Sequence, residues 1–232
     1  MMGDRSTEVV RLFGTGVNTN LEAVAIIAAT GLAGASWLEA GLIVGSFAVG
    51  TGLHLLCHWI VALAFGKGID RMVLTRAGRI DYSGDTPGFA EGIVRTGAGA
   101  TMNALLAMAG FAALGVFGIE HWHPTAVLAL RTFAACNLIL TAINFLPAIP
   151  LDGGLILRMV LERFVGRARA LHIAVRVSLA LMLGMLLLGL WLRQPVLVYM
   201  AVAISYDNWT KHLRVRPDRP TTEQHDGDTA AS

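Results

Sequence analysis

Residues 40–65 read AGLIVGSFAVGTGLHLLCHWIVALAF, without one Asp, Glu, Lys or Arg. A helix needs about 20 predominantly apolar residues to cross ~30 Å of hydrocarbon, and this run exceeds that length. It sets the fold class, an all-α membrane protein, and it contains two histidines. His54 and His58 are four residues apart and so share one face of a helix. Ionisable side chains are rare inside membrane spans, where function is the first hypothesis for them. Two imidazoles so placed can bind one metal ion, or they can hydrogen-bond within a helical bundle. The pair alone leaves both open.

The rest of the chain agrees with a membrane setting. Of 232 residues, 55% are hydrophobic and only 15% are charged, against about a quarter charged in soluble domains. The mean hydropathy is +0.61. A formal net charge of +2 is too small to argue for a nucleic-acid partner; the lipid bilayer is the expected one. Cys57 and Cys136 both lie within apolar runs, so no disulfide framework is expected. Residues 1–20 mix Asp4, Arg5, Glu8 and Arg11 with polar residues and show no signal-peptide pattern.

Working outward from 40–65, the apolar runs predict six spans, at about 21–38, 40–65, 95–118, 125–147, 170–192 and 195–209. The last is short and ends in Tyr206, Asp207 and Asn208. Arg and Lys concentrate in alternate connections: Arg5 and Arg11; Lys67, Arg71, Arg76, Arg79 and Arg95; Arg158, Arg163, Arg167 and Arg169; Lys211, Arg214, Arg216 and Arg219. The positive-inside rule then places both termini in the cytoplasm. The expected organisation is a cytoplasmic N-terminal segment (1–20), a six-span membrane domain (21–210) and a disordered cytoplasmic tail (211–232), rich in polar residues and proline. Residues 69–83 read as two short strands around Ala77-Gly78, a small cytoplasmic β-hairpin. Gly41 and Gly45 fit a small-xxx-small packing face.

A second constellation lies at the end of the fourth predicted span: Asn144-Phe-Leu-Pro147-Ala-Ile-Pro150-Leu-Asp152-Gly153-Gly154. The prolines end the span and the glycines allow a sharp turn. Asp152 could cap a helix at 155–164. It is also a carboxylate on the cytoplasmic side, and the topology puts His54 and His58 in the same leaflet. Two histidines, one carboxylate and an open fourth position make a catalytic zinc pattern.

These two segments resemble those of the site-2 protease family of intramembrane zinc metalloproteases, which carry H-E-x-x-H in one span and N-x-x-P-x-x-x-x-D-G near a later one. Gly97-Ala-Gly99-Ala-Thr-Met-Asn103 is similar to the family's glycine-containing start of the intervening span. The likeness covers roughly residues 40–165. It implies that His54, His58 and Asp152 bind Zn2+, and that Asn144 helps to position a substrate strand or the transition state. The six-span layout is similar to compact bacterial members, which implies a bacterial cytoplasmic membrane and a transmembrane protein as substrate or client.

One position departs from the pattern. The family's glutamate, the general base that takes a proton from the attacking water, falls at Leu55. Glu39, Glu91, Glu120 and Glu162 are the candidate replacements, and none stands at helical spacing from His54. The expected function is therefore a site-2-protease-like pseudoprotease, with zinc ligands and impaired peptide hydrolysis, that binds or regulates transmembrane clients. An active protease with a rearranged base is the first alternative. A metal transporter is the second, though polar residues are sparse along the spans and no repeat is visible. Cys57, three residues after His54, is a possible extra ligand, as are His121 and His123 around Trp122. The ordinary readings are a buried apolar residue and an interfacial aromatic with polar neighbours.

Overall fold

A computed structural model of the chain describes residues 7–12, 15–19, 36–66, 69–74, 79–82, 87–116 and 123–210. Among the described residues are six helices: α1 (Trp37–Ala64), α2 (Phe89–Val116), α3 (Pro124–Asn144), α4 (Asp152–Val165), α5 (Arg167–Trp191) and α6 (Pro195–Asn208). Four strands, β1 (Thr7–Leu12), β2 (Thr15–Thr19), β3 (Ile69–Leu74) and β4 (Arg79–Tyr82), form a sheet in sequence order. β1–β2 and β3–β4 pair antiparallel, and β2–β3 pair parallel.

Among the described residues four helices, α1, α2, α3 and α5, are long and apolar enough to cross a membrane. They correspond to four of the six predicted spans. The predicted first span lies outside the described residues but for its end, and the predicted tail and the Ala77-Gly78 turn lie outside them altogether. The predicted last span is α6, a helix of 14 residues. At 1.5 Å per residue it is about 21 Å long, short of the ~30 Å hydrocarbon layer.

Local chemistry sets the helix ends. Ser36 caps α1 with a capping box: its Oγ accepts from the Glu39 amide and the Glu39 carboxylate accepts from the Ser36 amide. Two otherwise unpaired donors are thereby satisfied. Pro124 opens α3 at a position where a missing N–H costs nothing. Gly166 joins α4 to α5 at φ 77°, in the left-handed region that favours glycine. α2 begins earlier than its hydropathy predicts. Arg95, counted on sequence as part of a basic loop, lies inside the helix, buried and paired with Glu91 one turn back at 2.8 Å.

Among the described residues the interior mixes small apolar residues with buried polar side chains, and the outside is strongly apolar. Four of the six largest fully buried side chains are Asn103, Asn137, Asn208 and Ser178. Leu183, Leu187 and Leu190 on α5 are all more than half exposed. In water this arrangement would forgo hydrophobic burial. In lipid it is expected, since apolar surface gains nothing by hiding there and polar groups must find partners within the protein. With the four long apolar helices, it makes the chain an integral membrane protein. α1, α2 and α3 pack on one another, as do α4 with α5 and α5 with α6, and α2 touches α4. Among the described residues nothing packs on Gly41 or Gly45: a Cβ at either would meet no described atom within 4 Å.

Candidate metal centre

Two helices meet at one point. α1 supplies His54 and His58, and the first residue of α4 supplies Asp152. The two Nε2 atoms are 3.1 Å apart. Asp152 Oδ2 lies 3.5 Å from His54 Nε2 and 3.6 Å from His58 Nε2. The side chains are only 12%, 4% and 13% exposed, in the order His54, His58, Asp152. Among the described residues these three form the one group of His, Cys, Asp or Glu able to hold a metal ion. Cys57 does not join it and instead lines an apolar groove with Val61, Val94 and Phe145. His123 caps α3, accepting from the Thr125 amide at 3.3 Å. His121 lies outside the described residues.

The tautomers follow from the outer partners. His58 Nδ1 lies 2.7 Å from the Arg95 carbonyl oxygen. A carbonyl only accepts, so Nδ1 carries the hydrogen. His54 Nδ1 lies 2.7 Å from Asn103 Oδ1. That assignment of the amide is fixed because Asn103 Nδ2 donates to the Gly50 carbonyl at 3.1 Å. With both hydrogens on Nδ1, both Nε2 atoms of the neutral rings are lone-pair acceptors. They face each other and a carboxylate oxygen that is buried and finds no donor among the described residues. Three converging acceptors suit a bound cation. A tetrahedral zinc with bonds of about 2.0–2.1 Å requires ligand atoms about 3.3 Å apart, and the observed 3.1, 3.5 and 3.6 Å bracket that value. Outward Nδ1–H donors are also the usual support for histidine ligands. The residues present fit the metal.

Asp152 does not act as the helix cap. The cap position of α4 is Leu151, which makes no side-chain cap bond, and Asp152 is the first helical residue. There its charge meets the positive end of the helix dipole. Its loop is held from below: the Ile149 amide donates to Ser178 Oγ at 2.5 Å, and Asn208 Nδ2 donates to the Ile149 carbonyl at 2.7 Å. The two glycines after Asp152 are required by close approach. A Cβ at Gly153 would lie 2.5 Å from the Phe145 carbonyl oxygen, and one at Gly154 would lie 2.5 Å from that of Ala148. On the opposite wall, a Cβ at Gly99 would lie 2.5 Å from His54 Nε2 and closer still to His58 Nε2. Only glycine lets α2 pass there.

The remaining sequence candidates are placed as follows. Asn144, the last residue of α3, donates from Nδ2 to the Leu140 carbonyl at 2.9 Å. Leu55 is half-buried on α1 beside His54. Glu39 serves the α1 cap, Glu91 pairs with Arg95 and Glu162 with Arg158. None of these carboxylates joins the three-residue group. Glu120 lies outside the described residues. Sequence reading passed over Asn137, Ser178, Asn208 and the Arg95 carbonyl. For the first three a signal existed, since each is a polar side chain in an apolar helix.

Comparison with known proteins gives a consistent result. Residues 100–185 match the family model described as Peptidase family M50. A zinc metalloprotease of Methanocaldococcus jannaschii is 30% identical over 156 residues, 66% of this chain and 44% of that protein. The Rip3 protein of Mycobacterium tuberculosis is 33% identical over 156 residues, 60% of this chain and 39% of its own. The chain thus spans less than half the length of these relatives. The site-2 protease structure from Methanocaldococcus jannaschii superposes with a TM-score of 0.70 at 22% identity, over 92% of this chain and 98% of that one, a likeness of fold.

Proposed function

We propose that this chain, a homologue of the site-2 zinc metalloproteases, holds Zn2+ between His54, His58 and Asp152 and binds transmembrane clients while cutting them poorly or not at all. One observation carries the reading: the three ligand atoms converge as a metal requires, while Leu55 stands where a base would and no other described carboxylate joins the group. Zinc in such a site would polarise a peptide carbonyl and make water more acidic. Leu55 cannot take a proton from that water or return one to the leaving amine. Loss of a general base costs about 10²–10⁴-fold in rate.

The other residues have work to do with or without cleavage. His54 and His58 present their Nε2 atoms because Asn103 and the Arg95 carbonyl hold the Nδ1–H groups. Asn144 has its Nδ2 committed to its own helix, so Oδ1 is the atom that would accept from the backbone N–H of a client strand. The charge distribution supports both termini and the β3–β4 connection on the cytoplasmic side. Within that topology the metal centre faces the cytoplasmic half of a bacterial plasma membrane, in a six-span body over about 21–210.

Two measurements test this. Purified protein in detergent is expected to contain one zinc per chain and His54→Ala to contain none; a metal-free parent sinks the ligand assignment. In a cleavage assay on a transmembrane substrate the parent is expected to be silent and Leu55→Glu to cut. Zinc-dependent cleavage by the parent would establish an active protease with a rearranged base instead.

A further inference from the structure

We infer that Asn137, on a helix that contributes no metal ligand, is a positioning residue for the metal, acting on His54 through Asn103. The inference rests on the reading of His54, His58 and Asp152 as a metal site.

Three hydrogen bonds run in one direction through three helices. Asn137 Nδ2 on α3 donates to the Phe133 carbonyl at 2.8 Å. That leaves its Oδ1 to accept from Asn103 Nδ2 on α2, also at 2.8 Å. Asn103 Oδ1 in turn accepts from His54 Nδ1 on α1 at 2.7 Å. The direction is forced at both amides. Phe133 O and Gly50 O are backbone carbonyls, so the Asn atoms facing them must be NH2 groups. Asn103 therefore cannot flip without setting Nδ2 against a donor at His54 and Oδ1 against two acceptors. Asn137 supplies one of the two acceptors that prevent the flip.

Both asparagines are fully buried, at 0% exposure. So deep in the protein, a lost partner leaves a buried polar group unpaired, at a cost in free energy. An unheld Asn103 can rotate to present Nδ2 to His54. That would favour the tautomer with hydrogen on Nε2, which cannot bind metal. Asn137 thus acts on which nitrogen of His54 is free, and not only on helix packing.

The test reads metal affinity in the full-length protein in detergent micelles, by Co2+ titration against a chelator. Partners outside the ligand set typically contribute about 10–100-fold to affinity. Asn103→Leu is expected to weaken Co2+ binding by about that factor, and Asn137→Leu by roughly 3–10-fold. The double variant should be no weaker than Asn103→Leu alone, because one path carries both effects. Thr141→Val, which removes a side-chain bond to the Asn137 carbonyl one turn away, should leave affinity unchanged. Asn137→Ser removes the link to Asn103 with a smaller change in shape, and serves if Asn137→Leu does not fold. A merely structural role predicts lower thermal stability of the metal-free protein with unchanged Co2+ affinity, and that result overturns the inference. So does additivity in the double variant. A parent that binds no Co2+ overturns the metal-site reading and this inference with it. A parent that binds, with Asn137 variants that bind equally, overturns the inference alone.

Discussion

Replacing Gly99 with alanine gives the most direct test of the metal centre. The added methyl would sit 2.5 Å from His54 Nε2 and closer to His58 Nε2. Ordinary van der Waals contact needs about 3.5 Å, so the imidazoles or α2 must move by about 1 Å. A metal site holds its ligand distances to about ±0.2 Å. A shift of that size opens the triangle of 3.1, 3.5 and 3.6 Å beyond what one ion can span. Zinc affinity is expected to fall at least about 100-fold, or about 2.7 kcal/mol. Backbone effects push the other way. Alanine gains about 1 kcal/mol over glycine inside a helix, and overpacking costs about 1–3 kcal/mol. The metal-free variant should therefore lose no more than about 2 kcal/mol of stability while losing its metal. The assay is zinc content by mass spectrometry with chelator competition, alongside thermal unfolding of the metal-free form. A Gly99→Ala protein that keeps one zinc at parental affinity would refute the placement of the ion between the two Nε2 atoms.

Other outcomes follow from the same geometry. Asp152→Asn should weaken zinc binding by at least tenfold and yet stabilise the metal-free protein by about 1–3 kcal/mol, since an amide NH2 can donate where a buried carboxylate oxygen has no donor; thermal scans with and without zinc read both signs. Ser178→Ala and Asn208→Leu each strip one partner from the Ile149 peptide and should each cost about 1–3 kcal/mol of stability, measured by thermal unfolding in detergent. Chelating zinc present at about 1,000 times its Kd should remove about 4 kcal/mol, and hydrogen exchange should then rise first in residues 148–156, the loop and helix start that carry Asp152.

Much of this could be read from the sequence because membrane helices announce themselves by length and hydropathy. Trp37–Ala64 and Arg167–Trp191 lie within a few residues of the predicted runs. Phe89–Val116 was cut short because Arg95 counts as a loop residue by charge. Its neutralisation by Glu91 is a contact, and hydropathy does not see contacts. The candidate ligand group was legible through helical spacing and topology: His54 and His58 through their i, i+4 relation, Asp152 through its position at the same end of a span. The supports of those ligands were not. Whether Asn137 meets Asn103, or Ser178 meets Ile149, depends on the rotation and axial offset of helices against one another. A run of leucines leaves those open.

The position of the three-residue group would give a bound metal a role in the fold that needs no base. α1, α2 and α3 pack together, and α4, α5 and α6 form a second group that meets the first through α2 and α4. His54 and His58 belong to the first group and Asp152 to the second. An ion held by all three would tie the groups at their junction, and the outer bonds would carry that tie to helices without ligands: α3 through Asn137 and Asn103, α5 through Ser178, α6 through Asn208. In a membrane interior this is costly to dismantle, because each polar group released there loses a partner that lipid cannot replace. Leu55 has no place in that network. A glutamate there would add proton transfer, and a leucine removes only that. On the reading proposed above, a metal held there would join the two groups whether or not it hydrolysed anything, which is why metal content and cleavage must be measured as separate properties of this chain.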